Sequence, residues 1–170
     1  MTRGGTHADT WTERYEDEHE PVPRIIAAID GSVCSARALQ VASRLSITLE
    51  AQIGLVHVLN PKLTIGNGVP MDQMWSILRR EGQELLDTAA ASIPAHPPPW
   101  KFLRQGQPAK EIIASACEWS AAWLVLGTHG RSGITRLLLG STAEAVLRHA
   151  PCPVVIVPTS ASVPIWWVAQ

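Results

Sequence analysis

The sequence contains no apolar run of the roughly 18 residues that a membrane-spanning helix requires. Its first residues also lack the apolar segment of a secretory signal peptide. We therefore expect a cytoplasmic protein with no membrane partner. The formal net charge of −1 provides no general attraction to nucleic acid, so no nucleic-acid partner is expected either.

Paired cysteines are also missing. Cys34, Cys117 and Cys152 lie far apart, and no C-x-x-C pair or zinc-ligand spacing is present. The pattern therefore argues against a disulfide framework and a zinc site of the usual spacing, and it favours three buried thiols.

A positioned nucleophile and base cannot be identified. Ser32, Ser132 and Ser141 are each explained as turn or cap residues, with no base beside them. A Walker motif, G-x4-G-K-[S/T], is absent, and no lysine lies between Gly127 and Gly140. Fast chemistry is therefore not expected.

What the sequence does contain is a glycine pattern in residues 124–157. Gly127, Gly130 and Gly140 form G-x2-G-x9-G, and Ser141 and Thr142 follow at once. Glycines let a backbone approach a ligand closely, and a helix start presents unpaired N–H groups with a positive dipole. A tight connection between two elements would also use glycines, but the agreement of three glycines, a helix start and flanking strands favours a phosphate-binding loop. Residues 127–140 are called the glycine loop below.

The helix after the glycine loop has a readable start. Ser141 is a natural N-cap, and Glu144 stands three residues later at the capping-box spacing. The helix is expected to begin within a residue of Thr142. Three or four amide bonds to charged oxygens, at roughly 1.5–3 kcal/mol each, would supply much of a micromolar affinity, about 8 kcal/mol.

Apolar runs and helical periodicity alternate along the rest of the chain. Strands are predicted at 24–29, 51–59, 100–104, 122–126 and 154–157. Helices are predicted through Leu45, over 71–93, from Pro108 and from Thr142. Five strands alternating with four helices predict an α/β fold: one doubly wound five-stranded parallel sheet with helices on both faces. The order 3-2-1-4-5 places the glycine loop beside the Asp30 turn, where ligands of open sheets bind.

The two ends of the chain are read separately. Residues 1–20 carry six acidic side chains and two arginines with almost no aliphatic ones, which predicts a disordered acidic arm. The folded domain is expected over residues 24–158. In the tail, residues 159–170, Trp166 and Trp167 would cover either a partner or their own sheet.

Four pieces of the sequence carry a family resemblance: IIAAIDGS at residues 25–32, LVHV at 55–58, GQP at 106–108, and the glycine signature followed by Ser141. Together they resemble the universal stress protein family in its ATP-binding subtype, over about residues 24–158. The resemblance implies the adenine nucleotide alpha hydrolase-like fold and a bound ATP with Mg²⁺.

The resemblance also implies residue roles. Asp30 would lie beside the ribose and phosphates and hold the metal ion, while the backbone of Val58 lines the adenine. The triphosphate would be wrapped by Gly127, Gly130, Gly140, Ser141 and Thr142. Arg131 would add charge at the loop's edge, and His129 would contact phosphate or face water. The expected site is completed by Ala28, Ile29, Ser32 and Leu126. His57, between apolar neighbours on a strand, is expected to be a satisfied core histidine rather than a ligand.

The last strand is apolar and would lie at a sheet edge. Family members form dimers through this strand, so the resemblance implies a homodimer through Val154–Val157, with a tail-covered edge as the alternative. The leading functional hypothesis is a stress-response protein whose nucleotide-dependent dimer regulates a partner. A slow ATPase or self-phosphorylating protein is the second, and action through protein contacts alone is the third.

Overall fold

The computed structural model describes residues 22–60, 71–130 and 139–158. Strands and helices alternate through them: β1 Arg24–Ala28, α1 Val33–Thr48, β2 Gln52–Leu59, α2 Met71–Ala91, β3 Trp100–Gln105, α3 Pro108–Glu118, β4 Trp123–Gly127, α4 Ser141–His149 and β5 Val154–Val157. The predicted order of elements is confirmed, with boundaries that move by one to three residues. The predictions for the acidic arm, the tail with Trp166 and Trp167, and Arg131 and Ser132 fall outside the described residues.

The five strands form one parallel sheet in the order β3-β2-β1-β4-β5, as predicted. β1 is central, so Ala27 lies between Leu55 of β2 and Val125 of β4. Since all strands are parallel, their carboxyl ends meet at one edge of the sheet. The chain order reverses at β1 and β4, and this reversal opens a crevice beyond their ends.

Two apolar clusters cover the two faces of the sheet. α1 and α2 pack on the face that carries Ile25, Ala27 and Leu55. α3 and α4 pack on the face that carries Ile26 and Val56. Consecutive residues of one strand therefore enter opposite cores, which explains why the strands are apolar throughout rather than alternating.

An aromatic group closes the amino ends of the strands. Trp119, at the end of α3, lies with its ring centroid 5.5 Å from that of Phe102. The Arg24 guanidinium lies 5.6 Å from the Trp119 ring centroid, and Arg24 Nη1 donates to the Trp119 carbonyl oxygen at 3.0 Å. A Cβ on Gly54 would lie 2.8 Å from Trp119 Cζ3, so this position on β2 has to be glycine for the indole to pack.

The cysteines differ in exposure. Cys34 is buried, Cys152 is half-buried, and Cys117 is exposed on the last turn of α3. The prediction of three buried thiols is therefore wrong for Cys117, which points away from the inner stripe formed by Ile112 and Ala116. Burial is the main cause that raises the pKa of the Cys152 thiol, and the neighbouring Cys117 thiolate adds to it.

None of the described helices combines the length and hydropathy of a membrane span.

Candidate functional site

A cavity of about 580 Å³ opens beyond the carboxyl ends of the central strands. Its wall is built from the ends of β1, β2 and β4, the N-terminal parts of α3 and α4, and one side of α2. The predicted site residues in this wall are Ala28, Ile29, Asp30, Val58, Leu126, Gly127, His129, Gly130, Gly140, Ser141 and Thr142. The structure thus brings together all of the predicted site residues except Ser32, which does not line the cavity, and Arg131, which lies outside the described residues.

Asp30 and Gly130 meet across the mouth of the crevice. Asp30 Oδ1 accepts a hydrogen bond from the Ser32 backbone N at 2.9 Å, which orients the carboxylate. A Cβ on Gly130 would lie only 2.4 Å from Asp30 Oδ2. Any side chain at position 130 would therefore displace this carboxylate or the glycine loop.

Gly127 packs against a different neighbour, Cys34 of α1. A Cβ on it would lie 2.6 Å from Cys34 Cβ and 2.9 Å from the Cys34 carbonyl carbon. Both atoms belong to α1, which packs across β1 and β4. Glycine at 127 is needed for this helix to approach the end of β4, whatever the cavity binds.

The start of α4 corrects the capping prediction. The N-cap is Gly140, no side chain caps the helix, and α4 begins at Ser141. Gly140 N donates to the Thr128 carbonyl oxygen at 2.8 Å, and a Cβ on Gly140 would lie 3.0 Å from that oxygen. This long-range bond places the helix start one residue earlier than the Ser141 signal suggested, so Ser141 is the first helical residue and lines the cavity.

Glu144 is likewise not part of a capping box. Its carboxylate accepts from Arg148 Nη2 at 3.0 Å, one turn later on the exposed side of α4. The predicted position of the helix is confirmed: α4 starts within one residue of Thr142. Its first two residues, Ser141 and Thr142, line the cavity.

Ser32 stands behind the cavity wall. Its hydroxyl caps α1 by accepting from Ser35 N at 3.1 Å, and it donates to the His129 carbonyl oxygen across a long 3.5 Å. Its backbone N–H donates the hydrogen bond that orients the Asp30 carboxylate. Ser32 thus positions the Asp30 turn, and the structure does not place it against a ligand.

His57 is a satisfied buried histidine, as predicted. It is 8% exposed, and its Nδ1 lies 2.7 Å from the Ile29 carbonyl oxygen. Its ring nevertheless forms part of the cavity wall.

The wall also contains residues that the sequence did not suggest. α2 contributes Leu78, Glu81, Gly82 and Leu85, and the end of β2 contributes Leu59 and Asn60. The helical periodicity of α2 indicated only that one side is apolar. Nothing in that pattern says that part of this side faces an opening instead of the core.

The described lining residues give the cavity wall a negative charge. They include the carboxylates of Asp30 and Glu81, and none of them is a lysine or an arginine. An anion bound there would depend on backbone amides, on a cation bound with it, or on residues outside the described part. No cluster of three or more His, Cys, Asp or Glu side chains with metal-binding geometry occurs in residues 22–60, 71–130 and 139–158. Asp30 alone suits Mg²⁺ only in company with phosphate oxygens, which is the usual way proteins hold Mg²⁺ on nucleotides.

The comparison with known proteins decides the family. The family model described as the universal stress protein family matches residues 21–158. The chain belongs to the universal stress protein family. A universal stress protein of Methanocaldococcus jannaschii is 31% identical over 143 residues, which cover 79% of this chain and 81% of that protein.

Solved universal stress proteins share the fold. One in complex with cAMP is 27% identical, with a TM-score of 0.57 over 82% of this chain and 98% of that chain. Another, from Archaeoglobus fulgidus in complex with dAMP, is 23% identical, with a TM-score of 0.60 over 81% of this chain and 98% of that chain. The predicted adenine nucleotide alpha hydrolase-like fold is confirmed.

Proposed function

We propose that this universal stress protein binds ATP, together with Mg²⁺, in the cavity between Asp30 and the glycine loop. The observation that carries the proposal is the convergence of three features on one opening. These are Gly127 and Gly130 at the end of β4, the first turn of α4, and Asp30 after β1. The related protein solved with cAMP supports an adenine nucleotide as the ligand class.

In the proposed complex the phosphates lie at the start of α4 and the base lies against apolar side chains of the wall. The amides of Ser141 and Thr142 open α4 and lack partners within the helix, so they suit phosphate oxygens. Leu59, Leu78 and Leu85 in the wall provide apolar surface of the kind that a flat base packs against. The Asp30 carboxylate, beside Gly130, can accept from ribose hydroxyls and hold Mg²⁺ beside the phosphates.

The proposed role of the protein is to bind ATP and, through this binding, to act as a regulator in the cytoplasm. No hydrogen bond among the described lining residues joins a base to the Ser141 or Thr142 hydroxyl. These two hydroxyls therefore have no activating partner among those residues. We infer that ATP acts as a resident ligand that stabilises one state of the protein. A slow hydrolysis or self-phosphorylation, the second hypothesis, would show as labelled phosphate or labelled protein in a single-turnover assay with γ-labelled ATP.

ATP with Mg²⁺ is expected to bind and to stabilise the fold. At a concentration one hundred times Kd, a ligand that binds only the folded state adds about 2.7 kcal/mol to the free energy of unfolding. Isothermal titration calorimetry measures the affinity, and urea unfolding with and without ATP measures the stabilisation. If titration reaches millimolar ATP without saturation, and the unfolding midpoint does not move, the proposed function is wrong.

We also propose that the protein assembles as a homodimer through β5. This strand lies at an edge of the described sheet, its four residues Val154–Val157 are apolar, and three of them are only half-buried. Such an edge is open to pairing with a second copy. Sedimentation velocity is expected to show a dimer at micromolar concentration, and a monomer at every concentration tested would contradict the assignment.

A further inference from the structure

We propose that Cys117 and Cys152 form an oxidative modification site, at which a peroxide converts the two thiols into an intramolecular disulfide. Neither side chain lines the cavity, so the reaction is independent of the proposed nucleotide binding. All three cysteines of the chain lie in its described part, and their positions select this pair.

The two cysteines lie at the same end and on the same face of the sheet. Cys117 is on the last turn of α3, directly after Ala116, which is buried in the apolar cluster beneath α3 and α4. Cys152 follows α4 and packs against this same cluster. The helices that join parallel strands run back toward the amino ends of the strands, and α3 and α4 contact each other. The segments that leave the two helices therefore come together at that end.

Backbone hydrogen bonds tie both segments to the start of β4. Ala121 N donates to the Ala116 carbonyl oxygen at 2.8 Å, which turns the chain from α3 directly into β4. Leu124 N, on β4, donates to the Pro153 carbonyl oxygen at 3.0 Å, and Pro153 directly follows Cys152. Each cysteine is therefore only a few residues from a backbone bond that holds its segment in place.

The two thiols are close enough to act on each other electrostatically. Burial is the first cause that raises the pKa of the Cys152 thiol, and repulsion from the Cys117 thiolate is the second. Like charges have this effect only at short range in a partly buried place. Cys34 is excluded as a partner because it is buried against Gly127 on α1, which covers the opposite face of the sheet.

Cys117 is the thiol that meets the oxidant. It is exposed, whereas Cys152 is half-buried and its raised pKa keeps more of it in the protonated, unreactive form. The Cys117 thiolate attacks one oxygen of hydrogen peroxide: an S–O bond forms, the O–O bond breaks, and hydroxide leaves. The product is a sulfenic acid at Cys117.

Cys152 then resolves the sulfenic acid. Its thiolate attacks the Cys117 sulfur, so that an S–S bond forms, the S–O bond breaks, and a second hydroxide leaves. Each hydroxide takes up the proton that one thiol released on ionising. Two thiols and one peroxide thus give one disulfide and two water molecules, with the sulfurs oxidised and the peroxide oxygens reduced.

The disulfide would close a loop of the chain that contains β4, the glycine loop and α4. A cross-link of this kind restricts the unfolded chain more than the folded one, provided that the two sulfurs already lie together in the folded protein. The urea midpoint of the oxidised protein is therefore expected to be higher than that of the reduced protein, and dithiothreitol is expected to reverse the shift.

Peptide mapping of the full chain after treatment with hydrogen peroxide locates the disulfide. Trypsin cleaves after Lys110, Arg131 and Arg148, so the two cysteines fall in separate peptides, 111–131 and 149–170. Mass spectrometry of the monomer band from a non-reducing denaturing gel is expected to show these two peptides joined, with Cys34 still a free thiol. Reduction is expected to separate them.

Single variants identify the role of each sulfur. Neither Cys117→Ser nor Cys152→Ser is expected to yield joined peptides. In Cys152→Ser the sulfenic acid at Cys117 has no resolving thiol, so dimedone is expected to label Cys117. Cys34→Ala is the matched control, and it is expected to yield the joined peptides to the same extent as the parent.

Three results would overturn the proposal. A parent protein that keeps three free thiols, or in which Cys34 forms the disulfide, would show that Cys117 and Cys152 do not meet. Joined peptides found only in a covalent dimer would show that the exposed thiol reacts between molecules. A urea midpoint that falls on oxidation would show that the two sulfurs do not lie together in the folded protein. ATP titration of the reduced protein tests the proposed function separately, whichever of these results is found.

Discussion

Gly130→Val is expected to weaken ATP binding about a hundredfold while leaving the unliganded protein folded. The position that the new Cβ would occupy lies 2.4 Å from Asp30 Oδ2, so the valine must displace either the carboxylate or the glycine loop. Both belong to the proposed phosphate end of the cavity. A hundredfold change corresponds to about 2.7 kcal/mol, which is what the loss of one or two amide bonds to a charged oxygen costs.

Calorimetry with ATP and Mg²⁺ measures this effect, and urea unfolding without ligand shows whether the fold has survived. Gly130→Ala introduces the same Cβ without the two further methyl groups of valine, so it is expected to give a smaller loss of ATP affinity. Ala91→Val, at the exposed end of α2 and outside the cavity wall, adds a β-branched side chain elsewhere and is expected to change neither quantity by much. A correctly folded Gly130→Val protein that holds ATP as tightly as the parent would remove the glycine loop from the binding site.

Gly127→Ala is expected to act on stability instead, lowering the free energy of unfolding by about 3 kcal/mol. Its Cβ would lie 2.6 Å from Cys34 Cβ and 2.9 Å from the Cys34 carbonyl carbon. These atoms are part of the α1 backbone or attached directly to it, so relief requires α1 to move away from β1 and β4. That movement would loosen the core cluster that contains Ala38 and Leu39.

Urea unfolding without nucleotide measures the loss at Gly127. Cys34→Ala retains Cβ, so Gly127→Ala is expected to cost nearly the same in that background. Cys34→Gly removes Cβ, and there the cost of Gly127→Ala is expected to fall, since only the carbonyl carbon and oxygen remain close. A Gly127→Ala protein as stable as the parent would mean that α1 is not held against β4 by this contact.

These two predictions separate glycines that the sequence presents as one motif. From the spacing alone, Gly127 and Gly130 look equivalent, because both follow the strand predicted at 122–126 in a pattern typical of phosphate loops. The distances assign them to different partners, Cys34 of α1 and Asp30 of the β1 turn. The partner of a glycine is set by which element the fold brings against it, and no local pattern contains that information.

The capping prediction failed for a related reason. Ser141 followed by Glu144 is a good local signal, and by local energetics it favours a helix that starts after Ser141. The bond from Gly140 N to the Thr128 carbonyl oxygen spans twelve residues and fixes the backbone before Ser141. A local side-chain cap was therefore not needed, and Ser141 lines the cavity as the first residue of α4.

The histidine on β2 was predicted correctly in one respect and incompletely in another. Apolar neighbours on both sides indicated that His57 is buried, and the bond to the Ile29 carbonyl oxygen confirms that it is satisfied there. Its place in the cavity wall depends on α2, which approaches closely because Gly82 has no side chain. His57 and Gly82 are 25 positions apart in the sequence, so their contact was not predictable from either one.

The amino-acid sequence by itself determined the order of the elements, the parallel sheet and the edge of the sheet where the glycine loop lies, because periodicity and alternation depend only on neighbouring residues. The order β3-β2-β1-β4-β5 followed once the glycine loop and Asp30 were required to meet. The tertiary structure alone decided which atoms face one another across the crevice: Gly130 against Asp30, Gly127 against Cys34, and His57 between Ile29 and Gly82. These contacts arise from close packing of elements distant in the chain, and packing distances of a few ångströms depend on every residue that separates or supports those elements.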